Sequence, residues 1–282
     1  MKTKITTDIA LRYFKVQRIK LDLSKNADLE QITKMITEFI EQTDGNVDAI
    51  LTQKVKEIND KKTQIALYRM FIAYKFEVAP HYDGSSSYIE SQRKKCFIIK
   101  HPDSSIMVTL EGETLIPRGR VILSCAGNWA ICATDIVTGK IGLYDYSGRI
   151  ICPCVCQGGY TTAVYGTEIG NVTYNSLKVN LRLVDVKFAE NFKEREARRL
   201  NPKGYANRAF FTSETYKCAI EFSHSIFSNF DMGDDMIEIE PGVVVSRNWA
   251  KIRGYDVNKP AFDKNAVFSS LIAEVAKHCK QI

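Results

Sequence analysis

Five cysteines fall within one stretch of this chain: Cys125, Cys132, Cys152, Cys154 and Cys156. Thiolates bind soft metals, so spacing decides what such a set can do. Structural zinc sites usually draw Cys-x2–4-Cys knuckles from turns. Cys152-x-Cys154-x-Cys156 are instead alternate residues of an apolar run. Free cysteine is also a common small core residue. The core reading is preferred, with a soft-metal site or a redox pair as the alternatives.

Four histidines are present. A non-haem iron centre takes two His and one carboxylate on one face of the metal. His101, Asp103 and His224 formally supply that set, although His101-Pro102-Asp103 also reads as a turn between strands. Cys96 and Cys218 are loose candidates for a nucleophile, with His101 or His224 as base. No phosphate-binding Gly-x4-Gly-Lys-Ser/Thr loop, dinucleotide Gly-x-Gly-x-x-Gly turn or Gly-x-Ser-x-Gly elbow occurs. No cofactor is expected.

Cationic side chains offer a third chemistry, contact with phosphates. The candidates are Arg12 and Arg18, then Arg93, Lys94 and Lys95, then Arg195, Arg198, Arg199, Lys203 and Arg208. Glutamates interrupt the last group, so a solvated helix face is its plainer reading.

The thiols need strands to place them. Short apolar runs are broken by Gly-Asn (127–128), Thr-Gly (138–139) and Ser-Gly (147–148). That pattern predicts consecutive hairpins over 120–126, 129–137, 140–146 and 149–156. Two-residue loops would pair Ala126 with Trp129, Val137 with Lys140 and Tyr146 with Arg149. Leu123, Cys125, Cys132, Ile136, Ile141, Leu143, Ile150, Cys152, Cys154 and Cys156 then share one face. The opposite face is apolar too, so the sheet should be covered on both sides.

Residues 140–160 resemble a single WG repeat, a short β-hairpin unit. Lys140, Gly142, Asp145, Gly148, Arg149, Pro153 and Tyr160 fall in compatible places, and Ile141 stands where the family has tryptophan. The match covers about 21 residues, without a second copy, although such units normally stack in series. It implies the hairpin and an interaction role, and no catalytic residues.

On either side of this centre the pattern changes. Residues 14–23 alternate like a strand, with a basic amphipathic arm as the other reading. Leu29, Ile32, Met35, Ile36, Phe39 and Ile40 mark a helix ended by Gly45. A second helix starts near Val47, and Asn59-Asp60-Lys61-Lys62 continues or breaks it. Residues 65–76 are apolar almost all round, which predicts burial against more than one neighbour. Residues 81–95 read as a loop. Strands are predicted over 96–100, 105–110, 114–116, 161–165 and 177–188. The last of these looks half exposed and suited to an edge. Val243–Val245 reads as a buried strand, and 263–280 as an amphipathic helix.

The chain of 282 residues is 45% hydrophobic and 26% charged, as folded globular proteins are, and its net charge of +6 permits an acidic partner without demanding one. No secretory signal or membrane span is visible. Eight cysteines without a leader point to reduced thiols and the cytoplasm.

The expected class is α+β: N-terminal helices on a large, mainly antiparallel sheet, closed by a C-terminal helix. Residues 1–80 would be helical and 81–282 β-rich, as two regions or one continuous domain. The first functional expectation is a non-catalytic structural or protein-interaction protein in an oligomer or larger assembly, such as a virion or mobile-element component. Its partners would be itself or other protein subunits, and not a membrane. A nucleic-acid-binding module is the second expectation and a metal-dependent enzyme the third.

Overall fold

A computed structural model describes residues 4–21, 29–76, 86–90, 95–101, 104–119, 121–162, 166–192, 205–225, 236–241 and 243–282. Helices, antiparallel strands and a C-terminal helix make it an α+β protein. Among the described residues the strands are divided among four sheets. The chain falls into two compact units, Met1–Leu123 and Ser124–Ile282.

The first unit begins with α1 (Thr7–Leu21) and α2 (Leu29–Gln42). Helix α3 (Val47–Ala49) runs on through a π turn (Ile50–Lys54) and a 3-10 turn (Val55–Glu57). Then comes α4 (Lys61–Lys75). The strand expected over 14–23 is thus replaced by helix as far as Leu21. Ala10 and Phe14, one helical turn apart, are both buried in the helical core, and packing overrides the local alternation. Asn59-Asp60 is a true break: the Asp60 carboxylate accepts from the Thr63 amide at 2.8 Å and caps α4.

Helix α4 buries Ala66, Leu67, Tyr68, Met70, Phe71, Ile72 and Ala73, so the helices alone cannot cover it. Phe97, Ile99, Ile106 and Val108 share its core. They come from β2 (Lys95–Lys100) and β3 (Ser105–Thr109), which pair with β1 (Ser86–Glu90) and β4 (Thr114–Ile116) in the order β1-β2-β3-β4. The helices and this sheet therefore form one unit, and the chain divides some 40 residues beyond the boundary expected near residue 80. Strand β1 lies within the expected 81–95 loop.

The second sheet has the order β5-β6-β7-β8, formed by Val121–Ala126, Ala130–Asp135, Ile141–Asp145 and Ile150–Cys156. It is the expected meander with altered turns. Asp135 Oδ1 accepts from the amides of Val137 and Thr138 at 3.0 and 2.8 Å, making a longer loop than Thr138-Gly139 alone. Ile136 and Val137 are therefore exposed in that loop rather than paired in a strand. Cys132 lies opposite Leu143, two residues from the expected register. A shift of two keeps each side chain on its face. Ala130, Ile131, Cys132 and Ala133 are all buried, so the sheet is covered on both sides as its apolar faces require.

The third sheet runs β12-β13-β11-β10-β9, formed by Tyr205–Ser213, Cys218–Ser225, Leu177–Val184, Glu168–Tyr174 and Gly158–Thr161. Strand β11 is central, not an edge. Its polar residues Asn180 and Arg182 are matched across the sheet by Ser223 and Glu221. One core joins this sheet to the meander and to the last helix, α7 (Lys264–Ala276), through Phe268, Leu271, Ile272 and Val275. The remaining described elements are two shorter helices, α5 (Val186–Glu190) and α6 (Arg247–Ile252), and a hairpin of β14 (Met236–Glu240) and β15 (Val243–Ser246). Strand β15 is only half covered, and Val243 is exposed, contrary to the buried strand expected there.

Candidate functional site

Three of the five thiols are in the core. Cys132, Cys152 and Cys156 are buried with Leu143, Ile151 and Phe222, and Cys152 Sγ lies 3.8 Å from Cys156 Sγ. A bulge in β8 interrupts the alternation, and Cys154 is half-buried with Sγ 3.5 Å from the Ala133 carbonyl. Cys279 lies 3.1 Å from the Ile150 carbonyl. Cys125 is on β5. Hydrogen bonding to Cys156 and burial push the Cys152 thiol up. Burial, helped by Asp135, pushes Cys154 up to about 11, and burial with Asp145 does the same for Cys279. Nucleophiles and metal ligands need the thiolate, so all three are held in the inert form.

A pH dependence follows. The folded thiols titrate above the ordinary value near 9, so their stabilising contribution is complete below about pH 9 and is lost as pH rises toward about 11. Allowing for solvent around half-buried Cys154 and Cys279, stability should fall by about 1–2 kcal/mol over that window. Urea midpoints measured at several pH values, with a Cys154→Ala/Cys279→Ala protein for comparison, check this. A flat wild-type profile would contradict it.

His101 and His224 stand in different units, and Asp103 lies outside the described residues. The His101 amide donates to the Ser104 carbonyl at 2.8 Å, closing the β2–β3 turn. His224 is buried, 5.0 Å from the Phe268 ring. Among the described residues no three His, Cys, Asp or Glu side chains group as metal ligands. Cys96 and His101 are about 16 Å apart along an extended strand, and Cys218 and His224 about 20 Å, too far for a nucleophile–base contact.

Of the cationic candidates, Arg12 is exposed on α1, Arg18 falls on the same helix and Lys95 opens β2. Arg208 is held inside the five-stranded sheet: its Nε is 3.6 Å from Glu221 Oε1, and its guanidinium lies 5.0 Å from the Phe192 ring. Arg93, Lys94, Arg195, Arg198, Arg199 and Lys203 lie outside the described residues.

The surface most suited to binding is one that sequence reasoning passed over. Ile237, Ile239 and Ala250 form a small core with Val245 and Val257. It holds the β14–β15 hairpin against α6, whose first turn is capped by Ser246 Oγ accepting from the Trp249 amide at 3.2 Å. The helix ends in a Schellman motif. Gly254 takes a φ of +77°, its amide donates to the Lys251 carbonyl at 3.1 Å, and the Tyr255 amide donates to the Ala250 carbonyl at 2.9 Å. This reversal returns Tyr255 to the helix. Its ring stacks on Trp249 with centroids 5.9 Å apart and planes 17° from parallel. The Arg253 guanidinium lies 5.5 Å from the indole centroid. Trp249 is 42% exposed, Tyr255 41% and Ile252 75%.

The legible signal was Trp249, Ile252 and Tyr255 at intervals of three in a basic segment with a glycine before the tyrosine. Ala250 takes the inward position, which leaves the larger side chains outside. The arrangement can bind flat or apolar groups by stacking and anionic groups by charge. Among the described residues no helix is long and apolar enough to cross a membrane. Compared with family models, curated proteins and solved structures, the chain matches none.

Proposed function

We propose that this protein is a non-catalytic structural or interaction component of an oligomer or larger assembly in the cytoplasm, and that α6 with Tyr255 is its contact surface. The observation that carries the reading is the joint exposure of Trp249, Ile252 and Tyr255 on a turn locked by its own hydrogen bonds. Single exposed apolar residues are ordinary, but clustered ones rimmed by polar groups mark interaction sites. A preformed aromatic surface also loses little conformational freedom on binding. The free thiols among the described residues suit a reducing compartment.

Light scattering after size-exclusion chromatography, at low and high salt and with absorbance read at 260 and 280 nm, tests the reading. The wild type is expected to elute above its 32.0 kDa chain mass. Ile252→Ser should shift it to smaller species. A wild-type monomer throughout, or an assembly indifferent to Ile252→Ser, would overturn the reading.

A further inference from the structure

We infer that the partner met by α6 and Tyr255 is single-stranded nucleic acid, with Trp249 and Tyr255 receiving bases and Lys251 and Arg253 meeting phosphates; this rests on the contact-surface reading above. Proteins that hold single strands combine exposed rings, on which bases stack, with cationic groups along the backbone path. Both occur here within seven residues. The rings are stacked on each other and exposed, and Arg253 lies against the indole. Lys251 and Arg253 are exposed. Arg247 and Lys259 add positive charge, and from Val243 to Phe262 the one acidic residue is Asp256.

Charge decides between partners. A protein hot spot can also use Trp, Tyr and Arg. A cationic excess beside the rings favours a polyanion that also offers flat faces. The exposed carboxylates of Glu238 and Glu240 belong to β14, and beside the rings Asp256, whose Oδ1 accepts from the Asn258 amide at 2.9 Å, is outnumbered by Arg247, Lys251, Arg253 and Lys259. The parallel rings are too close to admit a base between them, so bases would stack on their outer faces.

Fluorescence anisotropy with a labelled oligo-dT of about 20 nucleotides, at about 50 and 300 mM salt, provides the test. Binding should weaken steeply with salt. Trp249→Ala should weaken it about 10-fold or more, with Trp249→Phe retaining part of the affinity. Arg253→Ala, at an exposed side chain whose loss spares the small core, should weaken it and lower the salt slope by about 1. Absence of binding at low salt, or binding unaltered in both Trp249→Ala and Arg253→Ala, would overturn the inference. If the oligonucleotide fails while Ile252→Ser still dissociates the assembly, the partner is protein and only this inference falls. If Ile252→Ser has no effect either, both readings fall.

Discussion

Gly170→Ala is expected to destabilise the Ser124–Ile282 unit by about 4 kcal/mol or more, among the largest losses a single substitution gives. Gly170 sits at a bulge between β10 and β11, opposite Thr161 of the edge strand β9. Its φ of +151° is strained for any side chain, and a Cβ there would lie 2.0 Å from the Tyr160 carbonyl oxygen. Strain alone costs about 1–3 kcal/mol. The collision adds to it, because relief requires backbone to leave backbone and β9 to lose its pairing. Gly142→Ala should be nearly as severe for a different reason. Its φ is ordinary, but a Cβ would meet the Cys152 carbonyl at 2.6 Å and the Cys154 amide nitrogen at 2.8 Å. Gly139→Ala is the control: its φ is +66°, nothing lies within 4 Å, and the cost should be about 1 kcal/mol. Urea denaturation followed by the emission of Trp129, whose indole donates to the Gly166 carbonyl at 2.7 Å, ranks the three. If Gly170→Ala costs no more than Gly139→Ala, the close approach of β9 is wrong.

These glycines also mark how far the sequence could be read. Gly142 belongs to the segment that resembles a WG repeat, and the hairpin implied there is β7–β8. Asp145, another position of that resemblance, is buried and accepts from the amides of Ser147 and Arg149 at 2.8 and 2.9 Å. Such turn chemistry is local, so it is legible. Gly170 was not, because its constraint comes from a strand nine residues earlier. The face shared by Cys132, Cys152 and Cys156 is readable by parity alone and survives a two-residue change of register. Cys154 escaped because a bulge is set by the neighbouring strand, not by alternation. In the sequence β11 looks like an edge strand, since polar residues alternate with leucines. Only the partner strand shows that half-exposed Arg182 also pairs with a buried Glu221. Likewise Trp249 and Tyr255 become a surface only when Gly254 reverses the chain.

Glu221→Ala is expected to cost the same unit about 3 kcal/mol. Along β13, Ile220 and Phe222 face the core shared with α7, so Glu221 points to the opposite face of the sheet. It is fully buried there, with Arg182 Nε 2.9 Å from Oε2 and Arg208 Nε 3.6 Å from Oε1. The Arg208 side chain is 19% exposed and that of Arg182 40%. A sealed ion pair stabilises little by itself, because desolvation offsets attraction, but removing one partner leaves the other charge uncompensated. Arg182→Ala should cost less than Glu221→Ala, because Arg208 still lies 3.6 Å from Oε1, but it takes from a buried carboxylate the hydrogen bond to Oε2. The double variant should lose less than the two singles together, with a coupling of about 1–2 kcal/mol. Strict additivity in urea midpoints would mean that the pair behaves as an exposed contact. The result also bears on function. If the same cycle run with Arg208→Ala in place of Arg182→Ala also shows coupling, the charge of Arg208 is committed to the sheet, and Arg208→Ala should lower stability while leaving oligonucleotide affinity unchanged. Binding that responds to Arg208→Ala without loss of stability would instead move the phosphate contacts from α6 to the outer face of this sheet.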